Sequence, residues 1–176
     1  MVRIVRVFVS ITLMLALFAC NTIVATQPSQ ETHSDIKIFF TPGTDCENNI
    51  VERIKQSNKI DIAVYSITNP YITNAIIAAY KRGASIRIVT DKTQAKGKQS
   101  SVPQLRAAGI PVLTNKKHKI EHNKVGIFDD KYIVTGSYNW TKSASDYNSE
   151  NCVFFDQPEG MEYSKRFEYL WQVYSE

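Results

Sequence analysis

Lys59-Ile60-Asp61-Ile62-Ala63-Val64-Tyr65-Ser66 is followed by Asn69-Pro70-Tyr71-Ile72-Thr73-Asn74-Ala75-Ile76-Ile77-Ala78-Ala79-Tyr80-Lys81-Arg82-Gly83, and then by Ser85-Ile86-Arg87-Ile88-Val89-Thr90. In the first block Ile60, Ile62 and Val64 recur at every second residue, the period of a strand. Asn69 suits a helix N-cap and Pro70 its first turn. Gly83 stops the helix, which therefore runs to Arg82. Ile86, Ile88 and Val89 mark another strand. Strand, helix and strand in this order make the crossover that a parallel pair requires.

The pattern extends both ways. Upstream, Ile36 to Phe40 alternates as a strand and Thr41-Pro42-Gly43 breaks it. Asp45 caps a helix from Cys46 to about Ser57, with Ile50, Val51 and Ile54 on one face. Downstream, Asp91 to Ser101 is a polar loop. Pro103 to Ala108 is a short helix ended by Gly109, and Ile110 to Leu113 is a strand. Lys124 to Phe128 and Tyr132 to Thr135 are strands joined by Asp129-Asp130-Lys131, a tight hairpin. Glu150 to Phe155 is a further strand. Glu159 to Tyr174 is a closing helix with Phe167, Leu170, Trp171 and Tyr174 as its apolar stripe. The expected fold is α/β, with a mixed, mostly parallel central sheet flanked by helices on both faces.

The chain has 176 residues, 43% hydrophobic and 22% charged, which excludes a disordered, collagen-like or disulfide-dense protein. One domain is expected, at residues 36–176. Ahead of it, Arg3 and Arg6 precede an apolar run from Val7 to Ala19, broken only by Ser10 and Thr12. This reads as a secretory signal peptide over residues 1–25, with cleavage after Ala25. Leu17-Phe18-Ala19-Cys20 also resembles a lipobox, in which Cys20 is lipidated and the protein is held at a membrane. Residues 26–35 read as a polar tether. Export, to the periplasm or beyond the cell, permits disulfides. Cys46 and Cys152 form either a bridge or two small buried hydrophobes.

The net charge of +4 is unevenly spread: residues 81–124 hold eleven Lys/Arg against Asp91 and Glu121, a net +9. Such a block attracts polyanions, with nucleic acid first and an anionic lipid surface second. Lys116, Lys117 and Lys119 within it are candidate substrate-binding residues. His118 belongs to the same basic patch, and His33 to the tether.

The chemistry is carried by His122-Asn123-Lys124-Val125-Gly126-Ile127-Phe128-Asp129 and Gly136-Ser137-Tyr138-Asn139-Trp140. Strand alternation puts Lys124, Gly126 and Phe128 on one face, with His122 in register ahead of them. The hairpin returns so that Ser137 and Asn139 lie near the level of His122, and Glu150 opens the next strand at that end. An imidazole, an ammonium, a hydroxyl, an amide and a carboxylate suit attack on a phosphodiester. A neutral imidazole is a nucleophile near pH 7. Lys124 and Asn139 hold phosphate oxygens, and Ser137 donates a further hydrogen bond. Glu150 orients the imidazole by accepting from its other nitrogen. Asp129 orders the hairpin and Lys124 or serves only as a turn residue. No residues have metal-ligand spacing, and no cofactor is expected.

His122, Lys124 and Asp129 match the HxKxxxxD signature of the phospholipase D superfamily, and Gly136-Ser137-x-Asn139 matches the element that follows it there. Tyr65-Ser66, Ala79-Tyr80-Lys81-Arg82-Gly83 and Asn148-Ser149-Glu150-Asn151 resemble the superfamily's small bacterial endonucleases. The likeness covers about residues 36 to 174. It implies catalytic roles for His122, Lys124, Asp129, Ser137, Asn139 and Glu150, and metal-free cleavage through a covalent phosphohistidine. One signature per chain implies one half-site per chain. A homodimer would then share a single active site, one His122 acting as nucleophile and the other as general acid. Three functions compete: an exported nuclease with little sequence preference acting on DNA or RNA, a phospholipase D acting on lipid head groups such as that of phosphatidylcholine, and an inactive nucleic-acid-binding protein. Tyr138, Trp140, Tyr71 and Tyr80 would line a lipid-facing surface in the second, or pack in the core.

Overall fold

The computed structural model describes residues 35–156 and 160–176. The expected signal peptide, the tether before Asp35 and the expected helix start at Glu159 lie outside the described residues. In chain order the elements are β1 (Lys37–Phe40), α1 (Asp45–Gln56), β2 (Lys59–Val64), α2 (Pro70–Lys81), β3 (Ser85–Thr90), α3 (Val102–Ala107), β4 (Val112–Thr114), β5 (Lys124–Phe128), β6 (Tyr132–Gly136), α4 (Lys142–Asp146), β7 (Asn151–Phe155) and α5 (Gly160–Ser175).

The strands form one sheet in the order β1-β7-β6-β5-β2-β3-β4. Only β2–β3 and β3–β4 are parallel; the other four pairings are antiparallel. The sheet is mixed as expected but not mostly parallel. The short Asp129–Lys131 connection, which cannot make the crossover that a parallel pair needs, accounts for β5–β6, and the sheet beyond it continues antiparallel through β5–β2, β6–β7 and β7–β1. Asp129 and Asp130 take φ of 53° and 55°, and the Lys131 amide donates to the Phe128 carbonyl at 3.0 Å. Positive φ at both central residues gives a turn whose twist suits a hairpin.

Alternation along the strands divides the core. Ile60, Ile62, Val64, Ile86, Ile88 and Phe128 face α1, α2 and α3. Ala63, Val89, Val125 and Ile127 face α5, which covers them with Phe167, Leu170 and Tyr174. Helices therefore flank both faces. On the α5 face Asp61 pairs with Arg87 at 2.8 Å, and Glu168 completes the pairing. These two carboxylates hold the Arg87 guanidinium more firmly protonated than usual.

Local signals act as their chemistry requires. The Asn69 side chain accepts from the amides of Tyr71 and Ile72, capping α2, with Pro70 in its first turn. In α1 Thr44 is the N-cap residue, and Asp45 instead stands inside the first turn, where a negative charge favours the helix N-terminus. β4 starts later than expected, at Val112, because Pro111 has no amide to donate and Gly109 turns the chain at φ 89°. The polar loop after β3 holds a 3₁₀ turn at Gln94–Lys96. Cys46 and Cys152 form a disulfide with Cα atoms 5.9 Å apart, tying α1 to β7.

Candidate active site

β2, β3 and β4 finish at the end of the sheet where β5 begins. The loops after β3 and β4, the lead-in to β5, the exit of β6 and the start of β7 therefore meet there. Lys124 pairs across the ladder with Val64, and Gly136 pairs with Cys152.

His122 is exposed at this end, immediately ahead of β5. Its ring lies against that of Tyr65, centroid to centroid 4.7 Å. Lys124 is buried, 8% exposed, on the same sheet face as Gly126 and Phe128. Its Nζ donates to the His122 carbonyl at 2.8 Å and stands 5.1 Å from the centre of the Tyr65 ring. Burial pushes the Lys124 ammonium below its ordinary pKa, while the charges of Glu150 and Glu121 act to raise it. One of its three donors is engaged, and two remain for a ligand.

Gly126 makes room beneath this pair. A Cβ there would meet Phe128 and the Trp140 ring, each at 3.0 Å, so the indole slides under the strand only because residue 126 lacks a side chain. Gly136 is required differently. It has φ 141°, and a Cβ would stand 2.3 Å from the Asn151 carbonyl oxygen.

Asn139 sits between Tyr138 and Trp140, which are 2% and 1% exposed. Those aromatics are core residues; Tyr71 is exposed and Tyr80 half-buried, so the four form no common surface. A buried polar cluster anchors the segment. Tyr138 Oη bonds Ser145 Oγ at 2.7 Å, and Ser145 Oγ donates to Glu47 Oε2 at 3.1 Å. Glu47 Oε2 also accepts from Asn69 Nδ2 at 2.6 Å. Trp140 adds two bonds, its carbonyl accepting from the amides of Thr68 and Asn69 at 3.0 Å each. Held this rigidly, Asn139 Oδ1 is buried and without a hydrogen-bond partner among the described residues. A buried amide left unpaired at a site is a place for a ligand atom. A half-turn of that amide presents its NH2 to the same point.

The remaining expected residues are placed differently. Ser137 is exposed, and its Oγ accepts from the Asn151 amide at 3.1 Å, leaving the hydroxyl proton to donate. Glu150 does not bond the imidazole. Its carboxylate accepts from Asn148 Nδ2 at 3.0 Å and acts on Lys124 through its charge. Asp129 is not at the site at all. It lies beyond the far end of β5, where Oδ1 accepts from the amides of Asn58 and Lys59 at 2.8 and 2.9 Å. Seven residues of extended chain separate it from His122, about 20 Å. Of the roles expected for Asp129, this placement fits ordering the hairpin: the carboxylate splices the hairpin to the start of β2.

The basic block also divides. Arg87 is neutralised, Arg82 donates to the Ile54 and Ser57 carbonyls, and Arg106 to the Val112 carbonyl. Lys92, Lys96, Lys98, Lys116, Lys117 and Lys119 are exposed on the loops after β3 and β4, which leave the sheet at the end where His122 precedes β5. None of them forms an ion pair among the described residues, and Asp91 and Glu121 beside them are buried and internally bonded. Sequence reasoning missed Glu47, Ser145 and Glu121, and it quoted Tyr65 without giving it a role. A polar residue inside an apolar helical stripe, as at Glu47, was the available signal. Among the described residues no group of three or more His, Cys, Asp or Glu could hold a metal ion.

Comparison with known proteins bears on this arrangement. A family model described as the PLD-like domain of cardiolipin synthase matches residues 50–171. A protein named phospholipase D from Rickettsia conorii is 36% identical over 132 residues, 74% of this chain and 66% of that relative. A protein named mitochondrial cardiolipin hydrolase from Chlamydomonas reinhardtii is 32% identical over 116 residues, 65% of this chain and 52% of that one. The matches thus span between about half and two thirds of these relatives' own length. Two solved structures superpose with a TM-score of 0.74 each: Nuc of Salmonella typhimurium, a phospholipase D family member, at 30% identity, and NucT of Helicobacter pylori at 27%. Each alignment covers 80% of this chain, with 95% of the first structure and 97% of the second.

Proposed function

The chain belongs to the phospholipase D-like family, and on that premise we propose that it is an exported phosphodiesterase acting on nucleic acid, DNA first, through a histidine nucleophile. The observation that carries this reading is the set of six exposed lysines on the loops at the end of the sheet that bears His122, where Asp91 and Glu121 are buried. A polyanionic strand gains from every such lysine, whereas the phosphatidylcholine head group has no net charge to be drawn by them.

An unprotonated ring nitrogen of His122 attacks phosphorus, forming a P–N bond as the P–O bond to the leaving group breaks. The partner subunit's His122 protonates the leaving oxygen. Water, giving its proton back to that second imidazole, then cleaves the P–N bond. Lys124 and the Asn139 amide hold the phosphate oxygens where negative charge grows, and Ser137 donates to them. Tyr65 backs the imidazole, and Glu150 keeps negative charge near Lys124. The reaction uses the donors this chain offers and calls on no metal or cofactor. A homodimer supplies the second half-site.

Export is supported by the Arg3/Arg6 and Val7–Ala19 sequence and by the Cys46–Cys152 bridge, which suits an oxidising compartment, periplasmic or outside the cell. Anchoring at a membrane requires a lipid on Cys20. Hydrolysis of lipid head groups is the second reading, favoured by the names of the sequence relatives.

The test is turnover of DNA, RNA and phosphatidylcholine vesicles in EDTA, with His122→Ala as blank. Nucleic acid cut above the blank is the expected result. Choline release without nucleic-acid cleavage would move the assignment to the lipid, and DNA binding without turnover of either would make this a binding protein.

A further inference from the structure

Glu121 precedes the nucleophile in sequence but lies behind the strand, on the α5 side. It is 2% exposed. Its Oε1 accepts from the Asn123 backbone amide at 3.2 Å and from Asn123 Nδ2 at 2.5 Å. Its Oε2 accepts from Tyr174 Oη at 3.0 Å. The Asn123 amide nitrogen and the His122 carbonyl belong to one peptide group. That carbonyl accepts from Lys124 Nζ at 2.8 Å. A carboxylate therefore holds the N–H of this peptide and an ammonium holds its C=O. Each polarises the amide in the sense that strengthens the other's bond. The Asn123 carbonyl in turn accepts from the Tyr65 amide at 2.7 Å, fixing the segment to the end of β2.

We propose that Glu121 is a positioning residue for the His122–Lys124 pair, acting through the peptide that joins His122 to Asn123. The inference rests on reading His122 and Lys124 as the reacting pair. Anchoring alone does not need a charge. A neutral amide at position 121 would accept from Asn123 with its oxygen and donate to the Tyr174 hydroxyl with its NH2, without the cost of burying a carboxylate. The charge matters because it sits one peptide away from a buried ammonium. Tyr65 faces Lys124 from the end of β2, Glu150 from ahead of β7, and His122 and Glu121 from its own lead-in. Tyr174 of α5 stands behind Glu121, and Asp91, following β3, accepts from the Glu121 amide at 3.3 Å. Of these carboxylates Glu121 and Glu150 act on the ammonium to keep it charged against burial. Tyr174 also bonds His118 Nδ1 at 2.7 Å, so the clamp reaches the lysine-bearing loop.

Glu121→Gln, which keeps shape and the bonds from Asn123, reverses the bond with the Tyr174 hydroxyl and removes the charge, is the decisive variant. It is expected to lower kcat about tenfold with little change in KM, and to move the basic limb of the pH profile to lower pH. The Lys124 ammonium, followed by 15N NMR without substrate, is expected to titrate lower than in wild type. Tyr174→Phe keeps the charge and is expected to leave that titration where it is in wild type. Glu121→Asp keeps charge and draws the carboxylate back, so it is expected to preserve the Lys124 titration and still lose kcat. A wild-type Lys124 titration in Glu121→Gln, or full wild-type kcat in Glu121→Asp, would overturn the proposal. Because the NMR arm needs no turnover, it remains decisive should the phosphodiesterase reading itself fail.

Discussion

The two ends of β5 carry residues of one motif and treat them in opposite ways. At the Asp129 end the polar groups are engaged within the chain. Oδ1 accepts from two amides, the Asp129 amide donates to the Lys59 carbonyl at 2.8 Å, and Asp130 pairs with the Lys59 ammonium at 2.8 Å. At the His122 end they are left incomplete. Among the described residues the exposed imidazole has no hydrogen bond, Lys124 keeps two donors in reserve, and Asn139 Oδ1 has no partner. A fold satisfies its buried polar groups where they hold it together and departs from that rule where a ligand completes the set. The motif is a strand with a working end and a fastening end.

The strongest way to break this comparison is His122→Ala. Cleavage is expected to fall by about 10^4-fold or more while the melting temperature stays within about 1 °C of wild type, because an exposed ring contributes little to folding. Comparable kinetics in the variant would move the chemistry elsewhere.

The bridge qualifies the picture, since Cys152 pairs with Gly136 at the working end. That end is stapled even though its functional groups are unpaired. The bridge spans 106 residues, and the chain-entropy model assigns a loop of about that size roughly 4.7 kcal/mol. Cys46→Ser with Cys152→Ser is expected to lose most of that, read from denaturant unfolding beside the oxidised wild type. An unchanged midpoint would remove the bridge from the account of stability.

Asp129→Ala is expected to cost about 1–3 kcal/mol by leaving two amides without an acceptor, with kcat per folded molecule retained. Unfolding curves and turnover measured on one preparation separate the two.

Activity is also expected to fade on the basic side at a pH lower than an ordinary lysine would set. Burial lowers the Lys124 pKa, so its proton leaves as pH rises through that lowered value and phosphate loses a partner. The stability sign is opposite. The unfolded chain, with the higher lysine pKa, binds more protons in that window, so folding stability gains slightly as pH rises through it. A basic limb at the ordinary lysine value would contradict the buried setting.

The smallest expected effect is that of Lys116, Lys117 and Lys119 all changed to Ala. Single-stranded DNA binding should weaken at low salt, with the salt-dependence slope shallower by up to about 2. Identical slopes would take these lysines out of the substrate path.

Much of this was legible in the sequence because it is local. Alternation at Ile60, Ile62 and Val64, the cap at Asn69-Pro70 and the shared face of Lys124, Gly126 and Phe128 all follow from backbone periods. That the segments bearing His122, Lys124 and Asn139 leave one end of the sheet follows from the hairpin. What escaped depends on partners far apart in the chain. Asp129 stands near Lys124 in sequence, but a strand carries it away and gives it to amides at 58 and 59. Glu47 reads as an ordinary helix acid until Asn69 and Ser145 arrive around it. The antiparallel pairing of β5 with β2 is set by a tertiary choice that no local period records. The charged block looked uniform, yet Arg87 is consumed by Asp61 and Glu168 while the six lysines form no ion pair among the described residues.

The most direct test compares wild type, His122→Ala and Asp129→Asn on single-stranded DNA in EDTA. Asn keeps the acceptor oxygen and tolerates the positive φ, so Asp129→Asn removes only the charge. Wild type and Asp129→Asn should cut at similar rates per folded molecule, and His122→Ala should not cut. A folded Asp129→Asn as inactive as His122→Ala, or a His122→Ala as active as wild type, would contradict the division between the two ends.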